Sequence, residues 1–261
     1  MQPIPGLDEI ITINPSTGEE LGRMPALGRG GIDAALERSR QVQMVWAQQP
    51  LSTRVQPIRV LMDAILAERM AIAELIALEQ GKPVAEALAA EIFATLAILK
   101  DLVRTGPAVL KPRRRAHQTI LFAHKRSALW RVPYGVIAII SPWNFPFSVP
   151  LPEIAAALLA GNSVVFKPAP HSILIACKIA GLFAQAGFPA DLLQPLYLHD
   201  RDADYLTAHP GVDKIVFTGS TAVGRKVMRN AAQNIVPVVM ELGGKDPAII
   251  AADADIERAA R

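Results

Sequence analysis

From Tyr134 onward the chain alternates short, uninterrupted apolar runs with helical stretches, and this alternation constrains the fold more than any other feature. Residues 136–140, 163–166, 196–198, 215–217 and 236–240 read as strands. Residues 151–159, 173–186 and 222–232 read as helices, with a short helix through Tyr205 and Leu206. Strands apolar at every position, rather than at every second one, belong to sheets buried on both faces, and βαβ order makes such sheets parallel. The expected class is therefore α/β, a parallel sheet with helices on both faces. Ligands of such sheets bind beyond the carboxyl ends of the strands.

The preceding third is helical in pattern. Residues 10–13 form an edge strand, followed by the turn Asn14-Pro15-Ser16-Thr17-Gly18-Glu19. Ile32, Ala35, Leu36, Val42, Val45 and Trp46 lie at roughly helical spacing and make one buried face. A long second helix is predicted over residues 50–78, closed by Gly81-Lys82-Pro83, and a third over 84–103, ended by Gly106-Pro107. Residues 118–132 read as two strands around Lys125-Arg126-Ser127, an extended hairpin whose edge needs a partner to cover it.

Charge and cysteine usage exclude several classes. A net charge of +3 is too mild to argue for nucleic acid. The densest basic run, Lys111-Pro112-Arg113-Arg114-Arg115, lacks interleaved aromatics and reads as a solvated linker. The only cysteine, Cys177, precludes an intramolecular disulfide and is compatible with a reducing compartment. Lying beside Ala176 in a predicted helix, it reads as a small buried hydrophobe. Met1-Gln2-Pro3-Ile4-Pro5-Gly6 lacks the charge and apolar regions of a signal peptide. The longest apolar stretch, 154–166, is interrupted by Gly161-Asn162 and is too short for a bilayer, so no membrane role and a cytoplasmic location are expected.

Four motifs carry candidate chemistry. In Lys214-Ile215-Val216-Phe217-Thr218-Gly219-Ser220-Thr221 a strand feeds a helix through Gly219, leaving backbone N–H groups and a helix dipole suited to a phosphate. Ser220 or Thr221 either caps that helix or donates to the phosphate; the same pattern also serves any capped helix of an α/β protein. Ser141-Pro142-Trp143-Asn144-Phe145-Pro146 follows the first sheet strand. Its prolines rigidify the loop and make the Asn144 amide a candidate oxyanion donor, the alternative being an Asn that only stabilises the turn. Lys167 ends the second strand, where its ammonium can meet a cofactor hydroxyl or phosphate or simply solvent. Glu241 ends the last strand before Leu242-Gly243-Gly244-Lys245. It is a general-base candidate if burial raises its pKa, and otherwise a capping or ion-paired carboxylate. The two glycines permit close backbone approach or positive φ.

Together, in this order and spacing, the motifs resemble the NAD(P)-dependent aldehyde dehydrogenase superfamily over nearly the whole chain, from Ile13-Asn14-Pro15-Ser16-Thr17-Gly18 to Asp253-Ala254-Asp255-Ile256. The resemblance implies a Rossmann-like core over residues 134–261, an oligomerisation arm over 118–133, and the strand and helices of the cofactor-binding domain over 1–117. It implies that Asn144 is the oxyanion amide and Glu241 the general base. NAD or NADP is implied as cofactor. Lys167 would hold its adenosine ribose or 2′-phosphate, with Ala169 and Pro170 beside it; Gly219 and Ser220 would form the pyrophosphate turn and Gly224 the close helix packing. Ile140, Ser141, Pro142 and Trp143 would wall the cofactor, and Leu242 and Gly243 would lie beside the nicotinamide. An aldehyde substrate and a homo-oligomer paired through residues 118–133 are implied likewise.

The sequence departs from that family in four ways. The catalytic cysteine has no counterpart, and the segments that follow it in the family are absent, so the expectation is a cofactor-binding portion that does not oxidise aldehydes alone. A non-catalytic dinucleotide-binding or oligomer-modulating protein is the competing expectation. Pro170 stands where the family often has a ribose-binding glutamate, which weakens the case for NAD over NADP. Leu198-His199-Asp200-Arg201 replaces a glycine-containing loop, with His199 read as a surface residue. Loss of a packing partner would expose apolar surface and favour self-association.

Overall fold

The computed structural model describes residues 8–116, 119–122 and 124–260. The expectations placed on Met1–Gly6 and on Gln118 lie outside these residues.

Five parallel strands form the central sheet, in the order β7-β6-β5-β8-β9. They are β5 (Val136–Ile140), β6 (Ser163–Lys167), β7 (Leu193–Pro195), β8 (Lys214–Gly219) and β9 (Val238–Leu242). Every residue of β5 and β6 is buried. Their side chains alternate between two cores: Ile137, Ile139, Val164 and Phe166 enter one, while Val136, Ala138, Ile140 and Val165 enter the other. The continuous apolar runs thus arise from a sheet covered on both sides, as read from the sequence. On the first face lie α2 (Leu51–Ala67), α3 (Arg69–Gln80), α5 (Ala94–Leu110), α6 (Pro150–Leu159) and α7 (Ile173–Gln185). On the second lie α1 (Arg29–Ala47), α8 (Asp200–Thr207) and α9 (Thr221–Ala232).

Several boundaries differ from the expected ones, each for a local reason. The long helix over 50–78 is two helices, because the backbone leaves the helical range at Glu68 (φ −98°, ψ 11°) and the Glu68 carboxylate pairs with Lys178 on α7. Gly106-Pro107 does not end the next helix, which runs to Leu110. Gly106 instead admits Leu159 of α6: a Cβ there would meet Leu159 Cδ2 at 2.7 Å. The third sheet strand ends where it was expected to begin, since β7 pairs Leu193–Pro195 with Val164–Phe166 and Leu196 and Leu198 are buried in the connection beyond. The last strand is displaced two residues, to Val238–Leu242, so Glu241 lies within it opposite Thr218.

The arm differs most. Its paired strands are β3 (Arg113–Arg115) and β4 (Ser127–Leu129), so of the basic run expected to be a linker Lys111 and Pro112 connect α5 to a strand, and Arg113–Arg115 are that strand, exposed throughout. Residues 120–122 form a 3₁₀ turn rather than a strand. A second antiparallel pair, β1 (Glu9–Ile13) with β2 (Glu20–Pro25), supplies the partner of the predicted edge strand.

Between α4 (Val84–Glu86) and α5, residues Ala87–Phe93 form a π-helical turn. Such turns arise from one extra residue in the helix and often lie at functional positions. This one carries the fully buried Glu91. Glu91 Oε2 accepts the backbone N–H groups of Phe147 and Ser148, both at 3.0 Å, ahead of α6. Glu79 on α3 does the same for α7, accepting from Leu174 and Ile175 at 2.9 and 3.0 Å. Two buried carboxylates from the helical segment therefore satisfy the turn amides that lead into α6 and the open N-terminal amides of α7. Burial raises the Glu79 pKa against the opposing pull of these amides. Among the described residues, no helix is long and apolar enough to cross a membrane.

Candidate functional site

The loops at the carboxyl ends of β5, β6, β8 and β9 meet in two adjoining clefts. The larger has a volume of about 580 Å³ and the smaller about 380 Å³. They share Pro142, Trp143, Thr218, Gly219 and Ser220. The first volume falls within the range of small-molecule and cofactor pockets.

Ile140, Ser141, Pro142, Trp143, Lys167, Ala169, Pro170, Gly219 and Ser220 all line the larger cleft. Lys167 Nζ, its side chain 6% exposed, lies 2.7 Å from Asp200 Oδ1 at the start of α8. Ser220 is the N-cap of α9 and its Oγ accepts from Val223 N at 3.3 Å, so of the two roles left open by the sequence it performs capping here. The other N-terminal amides of α9 border the cleft and suit an anion. Gly224 lines neither cleft; it lets α9 approach β9, since a Cβ would meet Leu242 Cδ2 at 2.6 Å. The turn is equally dependent on Gly219, whose added Cβ would meet Phe217 Cζ at 2.7 Å.

The smaller cleft brings Asn144, Glu241, Leu242 and Gly243 together. The Asn144 loop is held from the helical segment. Lys82 Nζ donates to Glu91 Oε1 at 2.6 Å and to the Asn144 carbonyl oxygen at 2.9 Å, and sits 4.0 Å from the Phe145 ring centroid. The backbone of Asn144 is thus anchored, while its exposed side-chain amide has no partner among the described residues. The prolines are not the only source of rigidity, as the sequence implied; a buried ion pair carries much of it.

Glu241 departs from expectation in its surroundings. It is exposed rather than buried at the end of its strand. The raised carboxyl is Glu153, in the first turn of α6, pushed up to about 7 by burial and then by the negative charge of Glu241. Its Oε2 is buried without a hydrogen-bond partner among the described residues. Gly243 and Gly244 adopt negative φ and face open space, so neither freedom expected of them is used.

Cys177 is half-buried rather than fully apolar in setting: its sulfur lies 2.9 Å from Tyr197 Oη. Burial, ahead of all else, pushes the thiol pKa up, which disfavours a thiolate nucleophile. Cys177 lines neither cleft. His199 Nε2 faces Asp8 Oδ1 at 3.1 Å without hydrogen-bond alignment, away from the clefts.

Lys82, Glu91, Glu153 and Asp200 were not singled out by sequence reading. A signal existed for Glu91: it places a charge beside Ala87, Ile92 and Thr95 on the buried side of the segment. Buried charges at such positions need a partner, and Lys82 is that partner. Asp200 offered no signal, because it is an ordinary acidic residue of a helix first turn.

The aldehyde dehydrogenase family model matches residues 5–261. A 4,4'-diapolycopene aldehyde oxidase from Methylomonas sp. is 35% identical over 251 residues, covering 96% of this chain and 47% of that protein. An NADP-dependent glyceraldehyde-3-phosphate dehydrogenase from Bacillus halodurans C-125, complexed with NADP, superposes with a TM-score of 0.88 at 32% identity, covering 97% of this chain and 53% of that one. A Mycobacterium tuberculosis aldehyde dehydrogenase complexed with NAD+ superposes with a TM-score of 0.88 at 30% identity, covering 98% and 52%. The chain spans about half the length of these relatives.

Proposed function

The chain belongs to the aldehyde dehydrogenase family, and from that premise we propose that its clefts serve the oxidation of an aldehyde to a carboxylic acid with NAD or NADP. The larger cleft binds the dinucleotide and the smaller one the reacting aldehyde. The observation that carries this reading is the convergence of Asn144 and Glu241 in a cleft that shares the Gly219 turn with the Lys167 cavity. The residues fit the cofactor: substituting either Gly219 or Gly224 would force a Cβ against a neighbour, and the α9 amides and Lys167 supply donors for phosphate and ribose.

Bound NAD(P) supplies the hydride acceptor. The Asn144 amide, on a loop fixed through Lys82 and Glu91, donates to the developing oxyanion. Glu241 takes the proton from the attacking water, and Glu153, about half protonated near pH 7, can place a proton beside it. The thiol of the family's reaction has no counterpart in the cleft, because the only cysteine is Cys177.

That last fact favours a second reading, a dinucleotide-binding chain without catalysis of its own. The exposed Leu129, Trp130 and Val132 at the arm provide a surface for pairing with a second copy. The single free cysteine suits a cytoplasmic location.

Isothermal titration of the chain with NAD+ and NADP+ tests the shared premise. Saturable binding of at least one, lost in Lys167→Met, is expected; no binding of either refutes it. Aldehyde-dependent NAD(P)H formation by the purified chain separates the two readings, and its occurrence would remove the second.

A further inference from the structure

Resting on the dinucleotide reading above, we propose that Asp200 is a specificity-determining residue that makes this cleft select NAD over NADP. Lys167 is the buried cation of the larger cleft, and its ammonium is already engaged: Asp200 Oδ1 lies 2.7 Å from Nζ. The two side chains differ sharply in exposure, 6% for Lys167 and 81% for Asp200. The lysine is therefore fixed by the sheet, and the aspartate reaches over it from the α8 end. Any group that approaches Lys167 from the cleft meets the Asp200 carboxylate at the same time.

Pro170, also in the cleft lining, offers no carboxylate and no donor. Considered alone, that position removes an obstacle to a 2′-phosphate. The structure supplies a negative charge from a different element, α8, which is distant in sequence and absent from any β6 motif. A ribose 2′,3′-diol is neutral and can donate to Asp200 while accepting from Lys167. A 2′-phosphate carries about 1.5 to 2 negative charges and presents mainly acceptor oxygens. It must either expel Asp200 from Lys167 or lie beside it, and both cost binding energy.

The other charges at the cleft leave this balance intact. Asp204, one turn further along α8, adds a second carboxylate, held by Asn230 Nδ2 at 2.9 Å. Lys226 on α9 is exposed, as Asp200 is, and solvent and salt screen both; Asp200 differs in its direct contact with Lys167, where a 2′-phosphate would have to bind.

The test is titration of the chain with NAD+ and NADP+ as wild type, Asp200→Asn and Asp200→Glu, with thermal melts as a fold check. The wild type is expected to bind NAD+ about tenfold or more tightly than NADP+. Asp200→Asn should shrink that ratio at least about fivefold, chiefly through tighter NADP+ binding, and Asp200→Glu should keep it. Equal wild-type affinities, or an unchanged ratio in Asp200→Asn, overturn the proposal while leaving the dinucleotide reading standing. A parallel loss of both ligands in Asp200→Asn shows a purely structural aspartate and overturns it too. Failure of the wild type to bind either ligand removes the underlying reading itself.

Discussion

Lys82 and Glu91 form a buried ion pair, 2.6 Å from Nζ to Oε1, that joins the helical segment to the loop bearing Asn144. Glu91 is fully buried, and its other oxygen accepts from Phe147 and Ser148. Removing the carboxylate strands an ammonium and two amides in the interior. Glu91→Ala is expected to cost about 3–5 kcal/mol, and Glu91→Gln less, since an amide oxygen keeps one acceptor. Urea denaturation of the two variants measures the difference; a loss under about 1 kcal/mol for Glu91→Ala would contradict the role assigned to the pair.

Glu153 gives the fold a pH dependence. Its folded pKa of about 7 stands above the ordinary value of 4.5. The native state therefore binds the extra proton between these values, and the contribution present below about 4.5 is lost as pH rises through about 7. Glu153→Gln should be more stable than wild type at pH 8, by up to about 2 kcal/mol, and little changed at pH 4.5. Thermal melts at the two pH values read this directly, and a gain equal at both would rule the carboxyl out as its source.

Gly135 holds φ at +131°, and a Cβ there would fall 2.1 Å from Asp213 Oδ2 and 2.4 Å from Arg40 Nη1. Asp213 receives the Val136 amide at 2.7 Å and pairs with Arg40 at 2.5 Å, at the entrance to β5. Gly135→Ala is expected to cost about 2–4 kcal/mol through backbone strain and the broken contact. Chemical denaturation checks it, with Gly243→Ala, in open space, as the near-neutral comparison.

Cys177 should react slowly with a disulfide reagent at pH 7.5 in the native chain and rapidly once unfolded in urea, because burial raises its pKa. Cys177→Ala should leave dinucleotide affinity within about twofold, as the thiol lines neither cleft. Fast native labelling, or lost affinity, would bring the thiol back into consideration for the cleft.

The sheet and its ligand edge were legible in the sequence because burial on both faces leaves an unmistakable apolar run, as at Val136–Ile140. The residues of the cleft were legible because glycine and proline mark turns: Gly219 and Pro142 each lie where a strand stops. What escaped was set by tertiary contacts. The helix breaks at Glu68, where the side chain pairs with Lys178, without a glycine or proline at the break. Glu241 is exposed because β9 is an edge strand of the sheet, a property of sheet order rather than of the local motif. Asp200 reaches Lys167 across 33 positions of sequence, and no periodicity records such a meeting.

The π-helical turn at Ala87–Phe93 also limits how this lineage can change its length. A helix that carries one surplus residue can shed it and become regular, ordinarily a gain for the helix itself. Here the deletion would rotate the segment on one side of it by about 100° relative to the other, turning Glu91 away from Lys82 or Leu99 away from the core. Homologous chains that keep this carboxylate should therefore tolerate substitutions within the turn far better than single-residue deletions, and an alignment gap inside it should coincide with loss of both Lys82 and Glu91.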